Sequence, residues 1–132
     1  MKKEEENQKV NEESEVIVLN DQNFDDIVLK SNDIWIVEFY APWCSHCKKL
    51  KPEYEQAAKN LKGMVKLGMV DATVEKELAK RFEIKSYPQI KVFDYGLEKS
   101  DEKAVKYSGS RNVGNITEYG LNLAKNNNLI VG

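Results

Sequence analysis

The sequence predicts an α/β domain with a central mixed sheet and helices on both of its faces. Three observations carry this. The run 34–40 is apolar on both faces, as the central strand of a covered parallel sheet must be. Around it, short strand-like runs alternate with stretches of helical spacing, in the order β-α-β-α-β-α-β-β-α. The last two strand-like runs follow one another across a polar loop, so a sheet parallel in its first three strands ends in one hairpin. A chain of 132 residues forms one such domain and can bury a core without metal or disulfide support.

Residues 1–14 are nearly all charged or amide side chains, with one valine, Val10. So little apolar area cannot offset the entropy of ordering, and they read as a disordered acidic and polar lead-in. Val16-Ile17-Val18-Leu19 is expected as a short buried strand. Asn20 or Asp21 then caps a helix whose Phe24, Ile27 and Val28 recur at i, i+3 and i+4, and Ser31-Asn32-Asp33 breaks it. The central strand 34–40 follows, with Glu38 its lone charge. Ala41-Pro42-Trp43 ends that strand and a helix begins at the cysteines. Leu50, Tyr54, Ala57 and Leu61 stripe this helix, Pro52 lies about two turns in and should kink it, and Gly63 stops it. Residues 65–70 are the third strand. Asp71-Ala72-Thr73 leads into a helix with Val74, Leu78 and Phe82 on one face, which Ser86-Tyr87-Pro88 breaks. Strand 89–93, a polar loop over 94–103 and strand 104–107 make the hairpin. The last helix covers 112–125 with Ile116, Tyr119 and Leu123 inward, and Asn126-Asn127-Asn128 ends it. The domain therefore spans 15–128. Residues 129–132 are a tail, either an ordered end or a truncation scar.

Charge excludes several functions. Lys and Arg total 20 against 22 Asp and Glu, a net −2 with both signs interspersed, which fits neither a nucleic-acid surface nor an anionic membrane surface. No apolar stretch approaches the roughly 18 residues of a membrane-spanning helix. The basic start has no apolar segment behind it and does not read as a signal peptide. There is no internal repeat.

The chemistry concentrates in Trp43-Cys44-Ser45-His46-Cys47, which holds both cysteines and the single histidine of the chain. A zinc site needs four ligands at tetrahedral spacing, and no second pair or distant histidine exists to complete a shell, so no metal is expected. A structural disulfide is a weak reading, because closing so short a ring gains little loop entropy. Dithiol–disulfide redox chemistry is the strong reading of C-x-x-C beside a βαβ pattern. Cys44 opens a helix, where the dipole and free N–H groups stabilise a thiolate. His46 can hydrogen-bond or place positive charge near that sulfur, and Cys47, further in, is the resolving thiol. Trp43, amphipathic and beside an exposed sulfur, walls a substrate surface. Lys48, Lys49 and Lys51 read as a solvated face. Glu38 sits among apolar neighbours, so burial should raise its pKa. Asn115-Ile116-Thr117 is a glycosylation sequon on a predicted helix, expected to be unoccupied.

Four ordered blocks resemble a thioredoxin-fold catalytic domain of the protein disulfide isomerase family. They are Val37-Glu38-Phe39-Tyr40-Ala41-Pro42-Trp43-Cys44-x-His46-Cys47-Lys48, Val70-Asp71-Ala72-Thr73, Tyr87-Pro88-x-Ile90-Lys91-Val92-Phe93 and Tyr107-x-Gly109-x-Arg111. Three positions depart from the family pattern: Ser45 replaces a usual Gly, Gln89 a usual Thr, and Met69 a buried Lys found in many members.

The resemblance implies a thioredoxin fold and a thiol–disulfide oxidoreductase and isomerase acting on client proteins that carry thiols or disulfides. It implies an upstream oxidant or reductant protein, no cofactor, a lumenal setting in the endoplasmic reticulum and a monomer at the level of this domain. It implies a potential nearer about −180 mV than about −270 mV. It makes the Tyr87–Pro88 bond cis and sets Tyr87 and Pro88 against the cysteines, presenting backbone to an extended substrate. Glu38 becomes the base that takes the proton of Cys47, here without a lysine partner because Met69 stands in that place. Arg111 becomes a group that swings toward Cys47 and lowers its pKa. Two other readings stand beside this one: a cytosolic thioredoxin-type reductase partner, and a client-binding chaperone module using the groove around Trp43, Tyr87 and Pro88.

Overall fold

The computed structural model describes residues 14–130. Five strands, β1 (Val16–Leu19), β2 (Trp35–Tyr40), β3 (Lys66–Asp71), β4 (Gln89–Phe93) and β5 (Val105–Lys106), form one sheet in the order β1-β3-β2-β4-β5. β3 runs parallel to both β1 and β2, whereas β4 is antiparallel to β2 and to β5. β2 is thus paired on both edges, which is what its doubly apolar pattern demands.

Side-chain alternation along β2 divides the core into two layers. Trp35, Val37 and Phe39 point to one face, where they pack with Phe24, Val28, Leu78, Phe82 and Phe93 beneath α1 (Asp25–Leu29) and α3 (Lys76–Arg81). Ile36 points to the other, against Leu50, Tyr54, Leu61 and Ile116 of α2 (Ser45–Asn60) and α4 (Val113–Asn126) and their flanks. Glu38 shares the face of Ile36, so the alternation that builds the core also aims a carboxylate beneath α2. The Tyr54 hydroxyl, 2.8 Å from the carbonyls of both Ile36 and Gly68, ties α2 to the two central strands.

The order of elements is the expected one, with local corrections. β1 is an edge strand: Val16 and Leu19 are buried, but Ile17 and Val18 are exposed, and among the described residues no further strand pairs beyond them. The first helix is a single turn wound with an i→i+5 bond from Lys30 N–H to the Asp25 carbonyl. Phe24 and Val28 are buried and Ile27 is half-buried. Asn20 does cap that turn, accepting from the N–H groups of Gln22 and Asn23. Asp21 instead caps α3, accepting from Leu78 N–H at 3.0 Å. Val74 lies in the turn before α3 and is exposed rather than inward.

α2 contains Pro52 and ends before Gly63, whose φ of +85° turns the chain toward β3. α4 begins with Asn112, whose side chain accepts from Asn115 N–H. It ends at Asn128, left-handed at φ +59°, and Leu129 N–H reaches the Ala124 carbonyl at 2.8 Å, so the start of the tail belongs to the helix cap. Ile116 is buried there, with Tyr119 and Leu123 half-buried. The lead-in reading of 1–14 lies outside the described residues except for Ser14, whose hydroxyl donates to Glu55 at 2.6 Å. Among the described residues no helix is long and apolar enough to cross a membrane.

Candidate active site

β2 ends at Tyr40 and the chain turns through Ala41 to Cys44, which is the N-cap of α2. An N-cap side chain normally offers an oxygen to the free N–H groups of the first turn. Here a sulfur does so: Cys44 Sγ accepts from Cys47 N–H at 3.2 Å. As a thiol, it donates to the Tyr87 carbonyl at 3.6 Å. Both cysteines are buried and free.

Their acidities move in opposite directions. Burial alone would raise Cys44, but a hydrogen bond from the Cys47 thiol and the N–H groups of Cys47 and His46 outweigh it and hold Cys44 below its ordinary 9.0. Cys47 is pushed up to about 12 by burial first, then by donating that hydrogen bond and by the charge of Cys44. The first proton of the pair is therefore lost from the outer sulfur, and the second is held on the inner one.

Glu38 is 5 % exposed, and burial raises it from 4.5 to about 7. The positive charges of Arg111 and Lys51 oppose that shift. Its own charge in turn raises both cysteines, so the carboxylate and the sulfurs share one electrostatic site. Met69 is its register partner in β3, and no ion pair within 4 Å reaches Glu38 among the described residues. The expectation of no lysine partner needs amending. No lysine touches Glu38, yet Lys51, taken from the sequence as solvated, acts on it through space.

Trp43 and Tyr87 lie together beside the cysteines. Trp43 is 69 % exposed and its ring meets Tyr87 edge-on, with centroids 5.5 Å apart. The Tyr87–Pro88 bond is cis and Pro88 is buried. His46 is exposed at the head of α2 and shares an open recess of about 250 Å³ with Lys49, Leu50, Glu53, Arg111 and Asn112. Arg111 is exposed. Its Nη1 makes a long 3.5 Å contact to the Pro88 carbonyl, and its charge is felt at Glu38. The free N–H groups expected at the start of α2 are those of His46 and Cys47, whereas sequence reading missed the Tyr87 carbonyl, because a main-chain acceptor carries no residue signature. Asn115 is exposed on the first turn of α4. No cluster of three or more metal-binding side chains occurs among the described residues.

Comparison with known proteins agrees with this geometry. The family model described as thioredoxin matches residues 15–120. Protein disulfide isomerase-like 2-3 of Oryza sativa subsp. japonica is 52% identical over 110 residues, 83% of this chain and 24% of its own length. Protein disulfide-isomerase A6 of Homo sapiens is 47% identical over 117 residues, 86% of this chain and 26% of its own length. The chain thus spans about a quarter of the length of these curated relatives. Among solved structures, the Trx4 domain of ERdj5 superposes with a TM-score of 0.72 at 31% identity, covering 83% of this chain and 95% of that one.

Proposed function

This chain belongs to the thioredoxin family, and from that premise we propose that it is a protein disulfide isomerase domain, a thiol–disulfide oxidoreductase that acts on cysteines of client proteins. The observation that carries the reading is the split acidity of one pair: Cys44 held below the ordinary thiol value, Cys47 pushed up to about 12, with a carboxyl at about 7 in the same site.

That split assigns the steps. In the reducing direction the Cys44 thiolate attacks a client disulfide, forming a mixed disulfide and releasing one client thiolate. Cys47 must then lose its proton, and Glu38, buried in the same electrostatic site and poised near neutrality, is the base for it. The Cys47 thiolate attacks Cys44 Sγ, the second client thiolate leaves, and the Cys44–Cys47 disulfide remains. Two electrons pass from the domain to the client. In the oxidising direction a client thiolate opens the Cys44–Cys47 bond, Cys47 takes a proton back, and a second client thiolate displaces Cys44. Isomerisation exchanges client partners while the mixed disulfide stands. His46 N–H stabilises the Cys44 anion, Trp43 and Tyr87 wall the approach, and Pro88 holds Tyr87 at the sulfur. Arg111, by its field at Glu38, biases the base toward its ionised form. The kinship with protein disulfide isomerases supports the endoplasmic reticulum lumen as the setting and a partner oxidant as the source of disulfides. All these groups lie in one chain, which supports a monomeric domain as the working unit.

Trapping tests the assignment. Cys47→Ser should accumulate mixed disulfides with client proteins through Cys44, and Cys44→Ser should neither turn over nor trap. Trapping through Cys47 in the Cys44→Ser variant would reverse the roles.

A further inference from the structure

We propose that the recess beside Pro88 is a carboxylate subsite that takes an acidic side chain of an extended client, about two or three residues from the client's reacting cysteine. Ser86, Pro88, Gln89, Lys106, Ser108 and Arg111 line an open recess of about 320 Å³. Its only charged members are the two cations. Neither is in an ion pair among the described residues, and Arg111 spends a single N–H on the Pro88 carbonyl, leaving the rest of its donor fork free.

The charge is kept there against the interest of the sheet. Lys106 lies directly opposite Lys91 in the β4–β5 ladder, and like charges so placed destabilise strand pairing. Lys91 also lacks an acidic partner within 4 Å among the described residues. An arriving carboxylate offsets that repulsion and meets a guanidinium fork shaped for it. A client lysine or arginine meets the two cations of the recess and is repelled.

Reach sets the position. The Tyr87 carbonyl lies 3.6 Å from Cys44 Sγ and the recess begins at the next residue. An extended chain advances about 3.3 Å per residue, which brings a side chain two or three residues from the bonded cysteine over Lys106 and Arg111. The preference is one-sided. The other recess that Arg111 lines holds Lys49 as well, but its Glu53 carboxylate, which accepts Val113 N–H at 2.7 Å, offsets part of that charge, whereas the recess beside Pro88 holds no acid.

This subsite rests on the proposed disulfide chemistry, and the test separates the two. The probes are extended peptides carrying one cysteine in a mixed disulfide with a chromogenic thiol. Glu, Gln or Lys is placed singly two or three residues to either side, and the second-order rate constant of a single turnover is read with the reduced full chain in excess. On one side only, Glu peptides should react about three- to fivefold faster than Gln peptides, as partly exposed ion pairs allow, and 0.5 M salt should abolish the difference. Lys106→Glu should abolish the Glu preference, because the introduced carboxylate offsets Arg111. That variant also puts opposite charges across from each other in the ladder, so it should fold at least as well, which its melting temperature checks. Equal rates for Glu and Gln on both sides, or a Glu preference that survives Lys106→Glu, overturn the subsite. Slowed reaction of Lys106→Glu with glutathione disulfide but not with Glu peptides also overturns it, by assigning the recess to a small carboxylated thiol. Failure of the Gln peptides to react at all counts instead against the disulfide chemistry.

Discussion

Glu38 is where one residue couples stability to chemistry. Its carboxyl rises from 4.5 to about 7 on folding, chiefly through burial. A carboxyl raised in the folded state stabilises only while protonated: its contribution is complete below the unfolded value and is lost as pH climbs toward the folded one. Between about pH 4.5 and 7 the domain should lose on the order of 3 kcal/mol on this account. Glu38→Gln removes the titration. The variant and the parent should melt alike near pH 4.5, and the variant should be more stable at pH 8 by about 1–3 kcal/mol. In stopped flow it should slow the Cys47 step and spare the Cys44 attack. A stability difference that does not change with pH, together with full-speed release, would make Glu38 a structural residue.

At the scale of elements, the site depends on how α2 seats. Its C-terminal residue contact is with α4, where Gly120 is buried against Leu61. A Cβ at Gly120 would come within 2.7 Å of Leu61 Cδ1, whereas one at Gly114 of the same helix would find only the Asn112 side chain at 3.6 Å. Gly120→Val should therefore cost about 1–3 kcal/mol through overpacking. Gly114→Ala should be neutral or stabilising by up to about 1 kcal/mol, since alanine loses less entropy in a helix. Chemical denaturation of both variants checks this, and a gain at both positions would mean that helix propensity rather than the α2–α4 contact governs.

For the molecule as a whole, Arg81 joins segments far apart in the chain. From the end of α3 it holds Asp101 through two N–H groups at 3.0 Å and Asp25 at 2.8 Å, and its guanidinium lies 5.6 Å from the rings of both Phe24 and Phe82. These carboxylates drive its pKa further up, with the Asp101 hydrogen bond leading. Lysine keeps the charge and loses the fork. Arg81→Lys should lower stability by about 1 kcal/mol and leave peptide reduction unchanged, because none of its contacts is a site residue. A change in the thiol kinetics would show that this network also positions the cysteines.

Much of this was readable from the chain, for a local reason. Periodicity of two marks β2 as central and puts Glu38 on a definite face. Adjacency in sequence sets Cys44 at the start of α2 and Cys47 one turn inside it, and the motif blocks named the family. Other features needed the folded molecule. Asp21 reads as a cap for its own helix but caps α3 instead, because Leu78 N–H is brought to it from 57 residues away. Ile17 and Val18 read as core but lie outside, because strand order rather than hydrophobicity decides which strand is an edge. Lys51 is solvated as it reads, yet its field reaches Glu38, and Arg111 touches the Pro88 carbonyl. Sequence determines what each segment can do alone. Which distant backbone groups and charges meet it is decided only when two faces of one sheet are covered, since through-space electrostatics and capping depend on distance and not on position along the chain.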